Sequence, residues 1–203
     1  MSFFTRNRQE LESKGIHPAR LPPGQYSTDR FPVLHTGDVP ASDAAMWDFT
    51  IGGLVDRQVS LSLDEIRGME ATDIVTDIHC VTKWSKFDTR WRGVSVRSLL
   101  GLAGPLPEAS HVMVRAEQGF TANLSLGDFT AEGNLFAWVF DGEALEPEHG
   151  WPLRLVVPHL YFWKSVKWVR GFDLLPADEP GFWERNGYHM RGDPFEEQRY
   201  WGD

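Results

Sequence analysis

Apolar and polar positions alternate with period two in several short windows, and this alternation predicts most of the regular structure. Trp47 to Ile51 alternates cleanly and predicts a strand that ends at Gly52 and Gly53. Ile74 to Cys80, His111 to Ala116, Phe120 to Leu126 and Leu135 to Phe140 read as further strands. Leu153 to Val157 is an apolar run with Pro152 and Pro158 at its ends. In Val166 to Leu174 the spacing assigns Val166, Trp168, Phe172 and Leu174 to one face of a strand. Lys167 and Val169 are assigned to the other. The period changes at Val96, Leu99, Leu100 and Ala103, which fall at i, i+3, i+4 and i+7. They predict a helix capped by Ser95 and ended by Gly104 and Pro105. Ser62-Leu63-Asp64-Glu65 has the form of a capping box and predicts a short helix containing Ile66.

The ends of the chain read differently. A polar helix is expected from about Arg6 to Ser13, stopped by Gly15 and Pro18, followed by an extended arm at Leu21-Pro22-Pro23-Gly24. The segment after Pro176 carries Trp183, Tyr188, Tyr200 and Trp201 and is expected to wrap back over the domain. The pattern predicts an α+β fold in which strands dominate. Residues 1–45 form an arm, 46–176 the domain and 177–203 a packed tail.

Composition narrows the class. A chain of 203 residues with 41% hydrophobic positions buries a core without disulfides. Its 20 basic and 29 acidic residues give a net charge of −9, which argues against nucleic acid as partner. A small anionic ligand remains compatible, because a local pocket can be basic inside an acidic protein. The single cysteine, Cys80, excludes an intramolecular disulfide and an all-cysteine zinc site. The longest uncharged apolar run, Leu135 to Phe140, is far short of the roughly 20 residues that span a bilayer. No apolar leader precedes the domain, so a cytoplasmic protein without a membrane partner is expected.

Three clusters carry chemistry. Cys80 precedes Val81-Thr82-Lys83-Trp84-Ser85-Lys86. A lone cysteine is commonly a small buried hydrophobe. His79, Lys83 and Lys86 nearby would instead favour a thiolate, for metal ligation or nucleophilic chemistry. The second cluster runs from His149 to Pro158 and sets Arg154 inside an apolar strand. A guanidinium there needs a carboxylate or a bound anion. The third, Tyr161 to Trp168, offers Ser165 as a hydroxyl donor and Lys167 as a point charge. Dinucleotide, P-loop, zinc-protease and hydrolase signatures are absent. Read this way, the residues give one thiol and one anion-binding segment, and no reaction.

Taken together and in this order, the clusters resemble the molybdopterin-binding domain of the sulfite oxidase family, over roughly Phe31 to Leu175. The resemblance is to its small single-domain members, related to the bacterial protein-methionine-sulfoxide reductase catalytic subunit. It implies that Cys80, with Val81, Trp84 and Ser85 around it, ligates molybdenum. It implies that His149 and Arg154, and later Ser165, Val166 and Lys167, hold the pterin and its phosphate. Phe31 to Pro40 resembles the family's N-terminal arm, with His35 and Thr36 as candidate cofactor contacts. Molybdenum–molybdopterin is the implied cofactor.

Two family features are altered. Trp138 stands where sulfite oxidases carry a tyrosine beside the metal, and Ser85 or Lys86 where they carry an arginine. The implied activity is oxygen-atom transfer on a small S-oxide, N-oxide or related oxo-substrate, with an unknown electron donor or acceptor. Cys80, Lys83, Trp138 and Lys164 are the candidate catalytic residues. Lys86, Trp84 and Trp163 are further candidates for the substrate mouth. A non-catalytic molybdopterin-binding or storage module is the alternative, and a cofactor-free thiol protein a third. No further domain is matched, so a monomer is expected.

Overall fold

The computed structural model describes residues 11–203. Residues 11–13 are helical, and the remainder of the polar helix expected from Arg6 lies outside the described residues. Two sheets carry the domain. The first has five strands: β2 (Asp48–Gly53), β3 (Val59–Ser62), β6 (His111–Ala116), β7 (Thr121–Ser125) and β11 (Val169–Leu175). Their order is β3-β2-β11-β6-β7, with β11 parallel to β2 and the other pairs antiparallel. The second has six: β1 (Tyr26–Ser27), β4 (Ala71–His79), β5 (Trp84–Ser95), β8 (Leu135–Phe140), β9 (Glu143–Ala144) and β10 (Arg154–Val156). Strand β5 is its spine, pairing with β4, β8 and β1.

Four short helices fill the connections: α1 (Leu63–Arg67), α2 (Val96–Ala103), α3 (Leu126–Phe129) and α4 (Phe182–Arg185). Helix α1 starts at the predicted capping box. Ser62 Oγ accepts from the Glu65 N–H, and the Glu65 carboxylate accepts from the Ser62 N–H. Helix α2 is capped by Ser95 and buries the predicted stripe of Val96, Leu99, Leu100 and Ala103.

The core has two parts, one on each face of the six-stranded sheet. Phe49, Val94, Leu99, Val114, Phe136, Leu155 and Phe172 pack between the two sheets and α2. Ile78, Cys80, Trp84, Trp91, Leu135, Ala137, Val156 and Tyr161 pack on the opposite face. Strand alternation makes this division: Leu155 goes to the first core, and Arg154 and Val156 turn toward the second.

Two expectations are corrected. The strand expected from Val166 begins only at Val169, because Trp168 is left-handed (φ 51°) and breaks the extended run. A register shift between Val169 and Gly171 then moves Val169 into the core with Phe172 and Leu174. The long strand β5 was not expected at all. Its polar residues Lys86, Asp88, Arg90 and Arg92 alternate with Ser85, Phe87, Thr89 and Trp91, and this alternation is the signal for it.

Among the described residues no helix is long and apolar enough to cross a membrane.

Candidate active site

Cys80 sits in the tight turn between β4 and β5, which fixes it on every side. Its N–H donates to Trp84 O (2.9 Å) and its carbonyl accepts from the Lys83 N–H (3.0 Å) and from Gln25 Nε2 (3.1 Å). Lys83 closes the turn with a left-handed backbone (φ 77°). The thiol is 8% exposed and opens on a cavity of about 510 Å³. Such a volume is in the range of small-molecule and cofactor sites. Burial pushes the Cys80 thiol up, opposed by the Thr82 hydroxyl, which donates to Sγ at 3.1 Å, and by the charge of Lys167.

The same cavity wall holds two cations. Arg154 is fully buried. Its Nη1 donates to His149 O (2.7 Å) and Nη2 to Ser165 O (2.9 Å). Nε is buried without a partner. The guanidinium lies 4.4 Å from the Phe162 ring centre, 5.3 Å from that of Trp91 and 5.8 Å from that of Phe31. No carboxylate among the described residues pairs with it, so the ion-pair alternative is excluded there. Lys167 Nζ donates to Leu34 O (2.9 Å) and Glu148 O (2.6 Å) and likewise has no carboxylate partner. Burial, aided by the charge of Arg154, pushes the Lys167 ammonium down to about 7. Two formal charges thus face a largely aromatic cavity with no ion-pair partner among the described residues; the one carboxylate that lines it, Glu117, pairs with Arg170.

The sequence-derived residues divide into two groups. His35, Thr36, Cys80, Arg154, Ser165, Val166 and Lys167 all line the cavity, as do Trp84 and Trp163. Ser165 Oγ accepts from the Val157 N–H (2.9 Å), which leaves its own proton free to donate. His149 stands behind this wall rather than in it. Its ring stacks on Phe31 (4.1 Å between centres, 9° between planes), and its carbonyl holds Arg154.

Lys83, Lys86, Trp138 and Lys164 are not brought to the cavity. Lys83 is exposed beyond the turn, and Lys86 donates to Asp29 O. Trp138 turns to the first core, on the other face of its sheet from Cys80. Lys164 points away from the cavity into a fully buried ion pair with Glu184 (2.6 Å), and also donates to Asn123 and Met190. The placement of Lys164 follows from the tight turn Phe162–Lys164, which sends Trp163 and Lys164 in different directions.

Several cavity residues were not anticipated from the sequence. Phe31 and Trp168 line it from the arm and from the left-handed turn. Phe182, Trp183 and Tyr188 reach it from the C-terminal segment. Only their aromatic character, in a segment far along the chain from Cys80, signalled them. Among the described residues no three His, Cys, Asp or Glu side chains cluster as a metal site. The thiol therefore stands alone as a soft ligand.

Comparison with known proteins identifies the family. Residues 36–183 match the oxidoreductase molybdopterin binding domain family. The chain is 48% identical over 202 residues to a Bacillus subtilis protein described as an uncharacterized oxidoreductase, YuiH, covering 99% of this chain and all of that one. It is 30% identical over 157 residues to the protein-methionine-sulfoxide reductase catalytic subunit MsrP of Gluconobacter oxydans, across 68% of this chain and half of that protein. A barley nitrate reductase is 27% identical over 68% of this chain, a match spanning 19% of its own length. The fold superposes on the sulfane dehydrogenase SoxCD of Paracoccus pantotrophus with a TM-score of 0.68 at 20% identity, covering 83% of this chain and 48% of that one. The chain thus spans all of one relative but half or less of others. It belongs to the sulfite oxidase-like family of molybdopterin-binding oxidoreductases, with molybdenum–molybdopterin as cofactor.

Proposed function

We propose that this protein transfers an oxygen atom between a molybdenum centre and a small S-oxide or N-oxide, with Cys80 Sγ as the protein's ligand to the metal. One observation carries the reading: a lone thiol shares a cavity wall with two cations that have no carboxylate partner among the described residues. Isolated buried charge is costly, and an anion offsets that cost. The orphaned Nε of Arg154 and the lowered ammonium of Lys167 both suit an anionic ligand. A thiolate is a ligand of the softness such a metal accepts.

The residues would divide the work as follows. Cys80 holds the metal. Arg154, Lys167 and the Ser165 hydroxyl hold the phosphate, the first as a fork and the second as a point charge. His35, Thr36 and Val166 flank the pterin. His149 acts one step back, fixing Arg154 through its carbonyl and Phe31 through ring stacking. When bound, the cofactor supplies the two-electron oxygen-atom chemistry. Trp84, Phe162 and Trp163 exclude water from the thiol. The net reaction consumes the oxide, two protons and two electrons and yields the deoxygenated product and water. The two electrons come from two equivalents of a separate one-electron donor.

The test is reduction of methyl phenyl sulfoxide, dimethyl sulfoxide and trimethylamine N-oxide by the holoprotein, with reduced viologen as donor. Turnover that is lost in Cys80→Ser is the expected result. Bound cofactor with no turnover of any oxide would replace this reading with that of a storage module.

A further inference from the structure

This inference rests on the function proposed above and addresses the substrate that the site accepts. The cavity carries a wall of five aromatic rings, each in contact with the next. Phe120 meets Phe182 (5.4 Å between ring centres), Phe182 meets Trp183 (5.2 Å), Trp183 stacks on Tyr188 (4.7 Å, 22°), and Tyr188 meets Trp163 edge-on (5.1 Å). All five line the cavity, and Phe182, Trp183 and Tyr188 are only partly buried. Tyr188 and Trp183 also pack against the core cluster that contains Cys80. The wall is therefore continuous with the thiol.

Among the described residues no lysine or arginine lines the cavity besides Arg154 and Lys167. The cations of the C-terminal segment are all engaged elsewhere. Arg185 donates to Pro180 O and Thr121, Arg191 pairs with Asp128 and Asp193, and Arg199 holds Tyr161 and Pro23. Once the cofactor phosphate takes Arg154 and Lys167, no free lysine or arginine among the described residues remains on the cavity wall to receive an oxyanion. What remains are the polar groups of His35, Thr36, Thr82, Gln118 and of Glu117, which is paired with Arg170, beside flat apolar surface and the Tyr188 hydroxyl, which makes no hydrogen bond to another described residue.

We propose that this wall, built largely by the C-terminal segment, selects an uncharged substrate: an S-oxide or N-oxide carrying an aryl or similarly flat apolar group. Trp183 and Tyr188 grip the flat group by ring contact. Tyr188 donates its O–H to the oxide oxygen. Oxyanions such as nitrate are poor substrates because their charge meets rings instead of cations.

The experiment compares kcat/KM for methyl phenyl sulfoxide, dimethyl sulfoxide and nitrate in the holoenzyme, with reduced viologen as donor. Trp183→Ala, Trp183→Phe and Tyr188→Phe are measured beside wild type. Binding of methyl phenyl sulfoxide is read separately by calorimetry. In wild type the aryl sulfoxide is preferred over both others. Trp183→Ala reduces the aryl-over-dimethyl preference about tenfold, the scale of one lost ring contact. Trp183→Phe keeps most of that preference, which guards against a variant that merely loosens the fold. Tyr188→Phe weakens turnover of both sulfoxides. Nitrate preferred over the sulfoxides, or an aryl preference unchanged in Trp183→Ala, overturns the inference while leaving oxygen-atom transfer standing. Calorimetric binding without turnover of any oxide overturns the proposed function and leaves the wall as a binding site. Absence of binding overturns the wall itself.

Discussion

Lys164 and Glu184 form an ion pair of 2.6 Å in which both side chains are wholly shielded from solvent. It ties the C-terminal segment to the turn that carries Trp163, and the Trp163 Nε1–H donates to the same carboxylate at 2.8 Å. A buried pair of this kind is weak evidence of stability, but breaking it from one side is costly. We expect Glu184→Ala to lose about 3–5 kcal/mol, because it strands the Lys164 ammonium. Urea unfolding of the variant beside wild type measures this. A loss below about 1 kcal/mol would mean that the tail is held by its rings and its other hydrogen bonds, without need of the ion pair.

Gly150 offers a second handle on the cavity. Its backbone is left-handed (φ 114°), and a Cβ there would stand 3.0 Å from Arg154 Cβ and 3.2 Å from Lys167 Cβ. Gly150→Ala therefore strains the backbone and pushes on both cations together. We expect a fall in stability of about 1–3 kcal/mol and a lower molybdenum content per chain. Full cofactor retention in this variant would show that neither cation needs its present position.

The uncompensated charge of Lys167 gives opposite expectations for the empty and loaded forms. Without cofactor, Lys167→Met relieves a buried cation, so the apo variant is expected to melt no lower than wild type. With cofactor the same change removes a partner of the anion, and the variant melts lower. The pH dependence follows the same group. The folded ammonium is pushed down to about 7 while the unfolded one titrates near about 10.4, so between these values the unfolded chain binds more protons. Stability of the apo protein therefore rises with pH through this window, and the rise is smaller in Lys167→Met. An identical slope in both proteins would contradict this.

Acid stability is expected to depend on Asp128. His159, the Arg191 guanidinium and the Ser125 hydroxyl hold its carboxyl well below the usual carboxylate range, against the effect of burial. A depressed carboxylate contributes stability above its unfolded value of about 3.9 and loses that contribution as pH falls below it. Asp128→Asn is expected to cost about 2 kcal/mol at neutral pH, the scale of charge-assisted hydrogen bonds. The gap from wild type should close on acidification. A gap that stays constant down to acid unfolding would remove Asp128 from the account.

What the sequence made legible was local. The capping box at Ser62, the α2 stripe and the alternation at β6 each follow from spacing within one turn or one strand. The Cys80 turn and the Arg154 strand were recognisable because each sets an unusual residue in an ordinary pattern. What stayed hidden was set by distant contacts. Trp168 turns left-handed where it donates to Pro147 O and places Lys167 toward Leu34 and Glu148, and no nearby residue announces this. Lys164 reads as a candidate substrate donor until Glu184, 20 positions later in the sequence, is seen to neutralise it. Trp138 matches a family position by alignment of motifs, yet the pleat of β8 turns it to the other core. The aromatic wall was visible only as an excess of rings in the tail.

The central claim is that Cys80 Sγ ligates molybdenum in this cavity. X-ray absorption at the molybdenum edge, on wild type and Cys80→Ser purified from a host that makes the cofactor, tests it most directly. The account predicts molybdenum in both proteins and one sulfur ligand fewer in the variant. The same sulfur count in both, with molybdenum retained, would contradict it.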